Sequence, residues 1–112
     1  RHAEVYRSSF AISVCPSENV ESPTIVGAQA ANELLNIIGI KASFVLTEYN
    51  DKIYISSRSI DEINVQIIME KLGGGGHLNV AGAQLTGVTI VQAKRMIQDT
   101  LDEMLKEGDI EE

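Results

Sequence analysis

The stretch KASFVLTEYNDKIYIS, residues 41–56, determines what kind of sheet this chain can form. Residues 41–49 and 52–56 are rich in β-branched and aromatic side chains, which predicts two strands. Asn50 and Asp51 lie between them and fit a two-residue hairpin turn, although the glycine usual in such turns is missing. Strands joined by so short a turn run antiparallel, so at least part of the sheet is antiparallel.

Helices are predicted on both sides of this hairpin. Ser22-Pro23 is a helix start, because serine accepts a hydrogen bond from a free backbone N–H and proline suits the first turn. Apolar residues follow at helical spacing as far as Ile38, and Gly39 is the predicted C-cap. After the hairpin, Asn64 begins a second helix that Gly73 ends.

The remaining elements complete an α/β pattern. Residues 3–15 are predicted as one strand or two strand pieces, residues 19–21 as a loop, and residues 83–86 as a short strand. Thr89 and Gln92 form a capping box that begins a final amphipathic helix. The order β-α-β-β-α-(Gly loop)-β-α predicts an α/β domain in which helices cover a mixed sheet. The strand order within that sheet stays open.

Length and composition restrict the class of protein. The chain has 112 residues, 44% hydrophobic and 22% charged, which is typical of a single globular domain over residues 1–112. No apolar run is long enough to cross a bilayer, and the single cysteine, Cys15, cannot form an internal disulfide. The net charge of −7 argues against a long nucleic-acid duplex as partner. Because residues 99–112 hold seven of the acids, the rest is nearly neutral and compatible with a small phosphate ligand.

Four consecutive glycines followed by a histidine are the most unusual feature of the sequence. They are Gly73, Gly74, Gly75, Gly76 and His77. Glycine loses more backbone entropy on folding than any other residue, so something should offset the run. Glycines admit positive φ and let a ligand approach the main chain, and concave sets of N–H groups bind anions. A flexible turn is the alternative interpretation. Because the run follows the negative end of a helix dipole, an anion site here needs a cation.

Arg58 is the best candidate for that cation. It lies in the segment Ile55–Ser59, where the predicted strand gives way to a loop. A guanidinium binds two phosphate oxygens at once, and the neighbouring serine hydroxyls suit phosphate recognition. An exposed arginine at a strand end, with Ser59 as a capping residue, is the alternative. No spacing of histidine, cysteine or carboxylate ligands predicts a metal site in this chain.

Several of these segments together resemble a known family. Ser-x-Arg-Ser at 56–59, Asn-Val at 64–65, Gly-Gly-Gly-Gly-His at 73–77 and Ala-Gly-Ala at 81–83 resemble the C-terminal associated domain (DHHA type 1) of the DHH phosphoesterases. The resemblance covers residues 9–105. Residues 64–72 and 81–84 look most like the membrane-anchored bacterial branch that opens cyclic di-AMP to pApA with manganese. The oligoribonuclease and pAp phosphatase branch is the close alternative; single-strand exonucleases and alanyl-tRNA synthetase editing proteins share a related domain.

The resemblance implies a substrate-binding role for the residues that match. Arg58 would hold a substrate phosphate, the backbone of Gly73–Gly76 would approach the nucleotide, and His77 would contact a phosphate. The candidates for further polar contacts are Ser57, Ser59 and Asn79. The catalytic DHH domain that binds manganese in the family has no counterpart in these residues. We therefore expect a fragment of a longer protein, with no metal site of its own, that binds a cyclic dinucleotide or short oligonucleotide and hydrolyses nothing alone.

The same resemblance implies a location and partners. The domain would lie on the cytoplasmic side of a membrane-anchored bacterial parent, act with that parent's DHH catalytic domain and make no direct membrane contact. A homodimer is a further expectation. Two hypotheses of other classes stay open: an RNA-binding or tRNA-binding module, and a dimerisation domain built on the small-residue helix at 23–38. The near-neutral body and the acidic last helix argue against the first of them.

Overall fold

The predicted hairpin lies at the centre of the sheet in the computed structural model, which describes residues 3–16, 22–60 and 62–112. Within these residues the strands are β1 (Ala3–Tyr6), β2 (Phe10–Cys15), β3 (Ala42–Tyr49), β4 (Lys52–Ser59), β5 (Gly75–Gly76) and β6 (Val80–Thr86). The helices are α1 (Pro23–Leu34), α2 (Val65–Lys71) and α3 (Ile90–Glu107). None of these helices is both long enough and apolar enough to cross a membrane.

The turn between β3 and β4 explains how the hairpin forms without glycine. Asn50 and Asp51 have φ values of 51° and 62°, the left-handed conformation that both central residues of a type I′ turn adopt. Asparagine and aspartate tolerate this conformation better than other non-glycine residues. The two strands pair antiparallel from Ala42 opposite Ser59 to Tyr49 opposite Lys52. The predicted hairpin is confirmed.

The described residues form a six-stranded sheet in the order β1-β2-β3-β4-β6-β5. The pair β2–β3 is parallel, because α1 forms the crossover between these strands, and every other neighbouring pair is antiparallel. The α/β class and the mixed sheet covered by helices are confirmed, and the strand order that the sequence left open is now defined.

Helices cover the two faces of the sheet unequally. On one face α2 and α3 bury the main core, which includes Phe10, Phe44, Ile97 and Leu101, all at most 1% exposed. On the other face α1 packs mainly on β3 and β4, with Ala30, Ala31 and Val45 at its centre. A Cβ on Gly27 of α1 would lie 2.6 Å from the Ser56 Oγ, so the small residues let this helix approach the sheet closely. The outer strands on the α1 face are left largely uncovered.

The first helix is shorter than the sequence predicts. It ends at Leu34 with Leu35 as C-cap, whereas apolar spacing predicted a helix to Ile38 with Gly39 as cap. The backbone N–H groups of residues 35–37 donate instead to the carbonyl oxygen three residues earlier. This is the tighter 3₁₀ pattern that is common at helix ends. Ile38 is fully exposed, so its place in the apolar pattern reflects no buried contact. Gly39 still uses its positive φ of 89° to leave the turn.

Several strand boundaries also differ from the prediction. Residues 3–15 form two strands, β1 and β2, and the short strand expected at 83–86 begins three residues earlier as part of β6. β4 extends to Ser59, so Arg58 lies inside a strand and not where a strand gives way to a loop. Half of the glycine run is itself a strand, β5, which pairs with β6 and satisfies backbone groups there. The loop predicted at 19–21 lies outside the described residues.

Close packing of β5 against β6 requires glycine at two positions of the run. A Cβ on Gly74 would clash with the Gly82 carbonyl oxygen and would lie 2.7 Å from the Ala83 Cα. A Cβ on Gly76 would lie 2.5 Å from the Val80 carbonyl oxygen, and its φ of 147° also disfavours a side chain. A Cβ on Gly75, in contrast, would meet nothing within 4 Å. The glycines therefore serve backbone packing, which offsets their entropic cost.

Replacing Gly74 by alanine should destabilise the domain. The methyl group meets backbone atoms that cannot rotate away, and overpacking of this kind costs about 1–3 kcal/mol. Gly75→Ala is the matched control and should leave the free energy of unfolding within about 0.5 kcal/mol. Urea denaturation of both variants checks this. Equal stability of Gly74→Ala and Gly75→Ala would show that β5 does not pack on β6 as described.

A polar clasp joins the two ends of the described chain at the β1 side of the sheet. The Tyr6 hydroxyl donates to both carboxylate oxygens of Asp102 at 2.7 and 2.8 Å, and the Arg7 Nε donates to the same group at 2.9 Å. The Ser8 N–H and hydroxyl both donate to Glu112 at 3.0 Å. The hydrogen bond from Tyr6, followed by Arg7, holds the pKa of Asp102 below its ordinary value of 3.8.

Because of this clasp, the free energy of unfolding should depend on pH in the acid range. A carboxylate whose pKa is lower in the folded chain stabilises it fully above the unfolded pKa, here 3.8, and loses that effect as pH falls through the folded value. Asp102→Asn should therefore lower the free energy of unfolding at pH 7 by less than about 1 kcal/mol, because solvent screens the group. The difference should shrink as pH falls from 3.8 through the lowered pKa of Asp102. Denaturation of the wild type, Asp102→Asn and the exposed control Asp99→Asn across pH measures it, and a pH-independent difference would contradict the explanation.

Candidate functional site

A cleft of about 720 Å³ lies on the α1 face of the sheet, where α1 leaves β6 and β5 uncovered. Its floor is formed by β4 and β6, one wall is the glycine run, and Thr24 in the first turn of α1 lies at its rim. Ser56 of β4 lies opposite Gly82 of β6, which in turn lies opposite Gly75 of β5. Two facing glycines leave backbone, and no side chain, at the middle of this surface.

Arg58 is the cation of this cleft. Its side chain is half-buried, and Nη1 donates to the Ser57 carbonyl oxygen at 2.8 Å. Burial lowers the pKa of the guanidinium, and no nearby carboxylate opposes that effect. In the described part of the chain Arg58 has no acidic partner. A partly desolvated charge without a counter-ion favours binding of an anion.

The glycine run and His77 line the same cleft as Arg58. The run does not, however, offer the full concave set of N–H groups that the sequence suggests. The N–H groups of Gly73 and Gly74 donate to carbonyls of α2, and the N–H of His77 donates to the Val80 carbonyl oxygen at 2.7 Å. These three donors are used by the fold. What the run supplies is an open wall without side chains, beside the exposed His77 imidazole.

Three of the predicted contact residues do not line the cleft. Ser57 is fully buried on the other face of β4 and donates to the Ser43 carbonyl oxygen at 3.0 Å. Ser59 donates to the Ile63 carbonyl oxygen at 2.6 Å, and Asn79 donates to the Ser59 Oγ at 3.0 Å. These bonds connect the end of β4 to the segments before α2 and β6. Ser57, Ser59 and Asn79 therefore support the site from behind, and their proposed contact with a ligand stays a prediction.

Tyr54 and Gln84 also line the cleft, and the sequence did not single them out as site residues; Ser56, one of the hydroxyls expected beside Arg58, lines it as well. Alternate residues of a strand share one face, so Tyr54 and Ser56 lie on the same side of β4 as Arg58. The same rule places Ser57 and Ser59 on the opposite face of β4, away from the cleft. Gln84 could be found only with the pairing of β4 and β6, in which it lies opposite Tyr54.

Manganese does not fit the described residues. They contain no group of three or more histidine, cysteine, aspartate or glutamate side chains that could hold a metal ion. The cleft itself contributes one imidazole and no carboxylate among the residues that line it. Any step that depends on a metal would have to draw its ligands from elsewhere.

Comparisons with known proteins identify relatives of this chain. The chain is 47% identical over 100 residues to the cyclic-di-AMP phosphodiesterase PdeA of Listeria monocytogenes, which is 88% of this chain and 15% of that protein. It is 37% identical over 110 residues to the cyclic-di-AMP phosphodiesterase GdpP of Bacillus subtilis, 96% of this chain and 17% of the relative. The chain thus spans about a sixth of the length of these relatives.

A solved structure shows the same fold. The crystal structure of an exopolyphosphatase-related protein from Bacteroides fragilis superposes with a TM-score of 0.79 at 23% identity, covering 91% of this chain and 31% of that one. The family model of the DHHA1 domain matches residues 8–107. The resemblance seen in the sequence is confirmed, and the chain belongs to the DHHA1 domain family.

Proposed function

We propose that this chain is the substrate-binding domain of a phosphodiesterase that opens cyclic di-AMP to pApA. The observation that carries the proposal is Arg58, a half-buried guanidinium without an acidic partner among the described residues, on the floor of a cleft walled by glycines. Relatives named as cyclic-di-AMP phosphodiesterases match 81–96% of the chain, which supports this substrate.

Each part of the cleft has a role in this proposal. Arg58 donates two parallel hydrogen bonds to a substrate phosphate and fixes its orientation. The wall of Gly73–Gly76 admits the nucleotide close to the main chain, and the imidazole of His77 at the rim donates to a phosphate oxygen. None of these groups activates water.

The chemistry itself would come from a DHH catalytic domain of the same polypeptide, which closes over the cleft and carries manganese. Such a domain would supply the metal ligands and the metal-assisted chemistry that cleavage of a phosphodiester needs. Cleavage then depends on both halves, and a short oligonucleotide would use the same cleft. This domain would lie on the cytoplasmic side of a membrane-anchored parent. That the domain forms a homodimer stays a prediction.

Removal of the Arg58 charge should impair the parent phosphodiesterase. Charge-assisted hydrogen bonds contribute about 1.5–3 kcal/mol, so Arg58→Ala should raise KM or lower turnover by a factor of at least ~10. The matched control is Arg95→Ala, an exposed arginine on α3 remote from the cleft. The assay measures cyclic di-AMP hydrolysis by a polypeptide that joins this chain to its catalytic domain. Unchanged kinetics for Arg58→Ala would remove Arg58 from the site.

The 112-residue chain by itself should not hydrolyse cyclic di-AMP. Its described residues contain no metal-ligand cluster, and two-metal chemistry needs one. The measurement is release of pApA by purified chain with added manganese, with Arg58→Ala as control for contamination. Turnover that this substitution abolishes would contradict the proposal that catalysis belongs to another domain.

A further inference from the structure

A pair of side chains at one end of the cleft is not used by the phosphate contacts proposed above. Tyr54 of β4 and Gln84 of β6 lie directly opposite each other in the antiparallel pair. Both line the cleft. Arg58 is four residues further along β4 on the same face, at a distance of about 13 Å along the strand. The floor therefore has a cationic end and an aromatic and amide end.

The polar groups of this pair are accessible to a ligand. The Tyr54 side chain is half-buried and Gln84 is exposed. Within the described residues no hydrogen bond uses the Tyr54 hydroxyl or the Gln84 amide. Gly82 lies next to the pair, between it and Arg58, and a Cβ there would lie 2.7 Å from the Ile55 carbonyl oxygen. A flat molecule can therefore lie along β6 without meeting a side chain at Gly82, beside the Ser56 side chain of the neighbouring strand.

The two side chains match the two recognition surfaces of a nucleobase. An aromatic ring binds a base by stacking, whatever the base. A glutamine amide distinguishes adenine, because its carbonyl oxygen accepts from the N6 amino group while its NH₂ donates to N7. Guanine presents two acceptors at the same edge, O6 and N7, and cannot make that pair of bonds. Tyr54 would supply affinity and Gln84 selectivity.

We propose that Tyr54 and Gln84 form an adenine-binding subsite on the floor of the cleft, with the phosphate of the same ligand held at the Arg58 end. The inference rests on the proposed function, which it deepens by assigning base selectivity to this chain itself. It involves no chemical step. Gln84 is the specificity-determining residue and Tyr54 contributes affinity, and neither touches the bond that is cleaved.

The test is an amide NMR titration of the 112-residue chain with AMP, GMP and ribose 5-phosphate. Ribose 5-phosphate should shift only Arg58 and residues 73–77, whereas AMP should shift Tyr54 and Gln84 as well. Tyr54→Ala should raise the Kd of AMP about tenfold, leave that of ribose 5-phosphate unchanged, and be rescued by Tyr54→Phe. Gln84→Ala should reduce the preference for AMP over GMP about tenfold.

Matched controls separate the subsite from general effects on folding. Tyr49→Ala changes a half-buried tyrosine of β3 that does not line the cleft, and Gln98→Ala changes a half-buried glutamine of α3. Both should bind AMP like the wild type. The inference is overturned, and the proposed function kept, if Tyr54→Ala and Gln84→Ala bind AMP normally while Arg58→Ala does not. Absence of shifts with every ligand at millimolar concentration would overturn both.

Discussion

The approach of the glycine run to β6 is the constraint on which the cleft depends. Gly74 and Gly76 lie so close to the backbone of β6 that neither position admits a Cβ. This contact turns a segment that follows a helix into the edge strand of the sheet, and it places an open wall beside Arg58. A run of residues with side chains would stand further from β6 and would fill the open space of the cleft.

Side chains alternate along β4, so that this strand has one face turned to the core and one face turned to the cleft. Ser57 and Ser59 point into the layer under α2 and α3, where each donates to a backbone carbonyl. Tyr54, Ser56 and Arg58 point to the opposite face, which α1 covers only in part. The hydrogen bonds on the buried face of β4 thus hold this strand, and with it Arg58, in position. A charged group held in this way needs little reorganisation to bind a phosphate.

Local signals predicted most of the elements but only part of the site. The helix starts predicted at Ser22, Asn64 and Thr89 coincide with the N-caps of α1, α2 and α3 in the described residues, because capping chemistry depends on neighbouring residues alone. The predicted end of α1 was wrong, because apolar spacing alone does not reveal that Ile38 is exposed to solvent. Gln84 could not be predicted as a neighbour of Tyr54, because their pairing joins positions 30 residues apart. Strand order and register decide such contacts, and they follow from the packing of the whole sheet.

The clasp of Tyr6, Arg7 and Asp102 has a mechanical consequence. It brings both ends of the described chain to the β1 edge of the sheet, five strand spacings, or about 24 Å, from β5 at the other edge. A pull applied through the two ends would load the clasp first and would reach the glycine wall only after four intervening strands had been disturbed. The glycine wall at one edge is in this way separated from tension applied at the other.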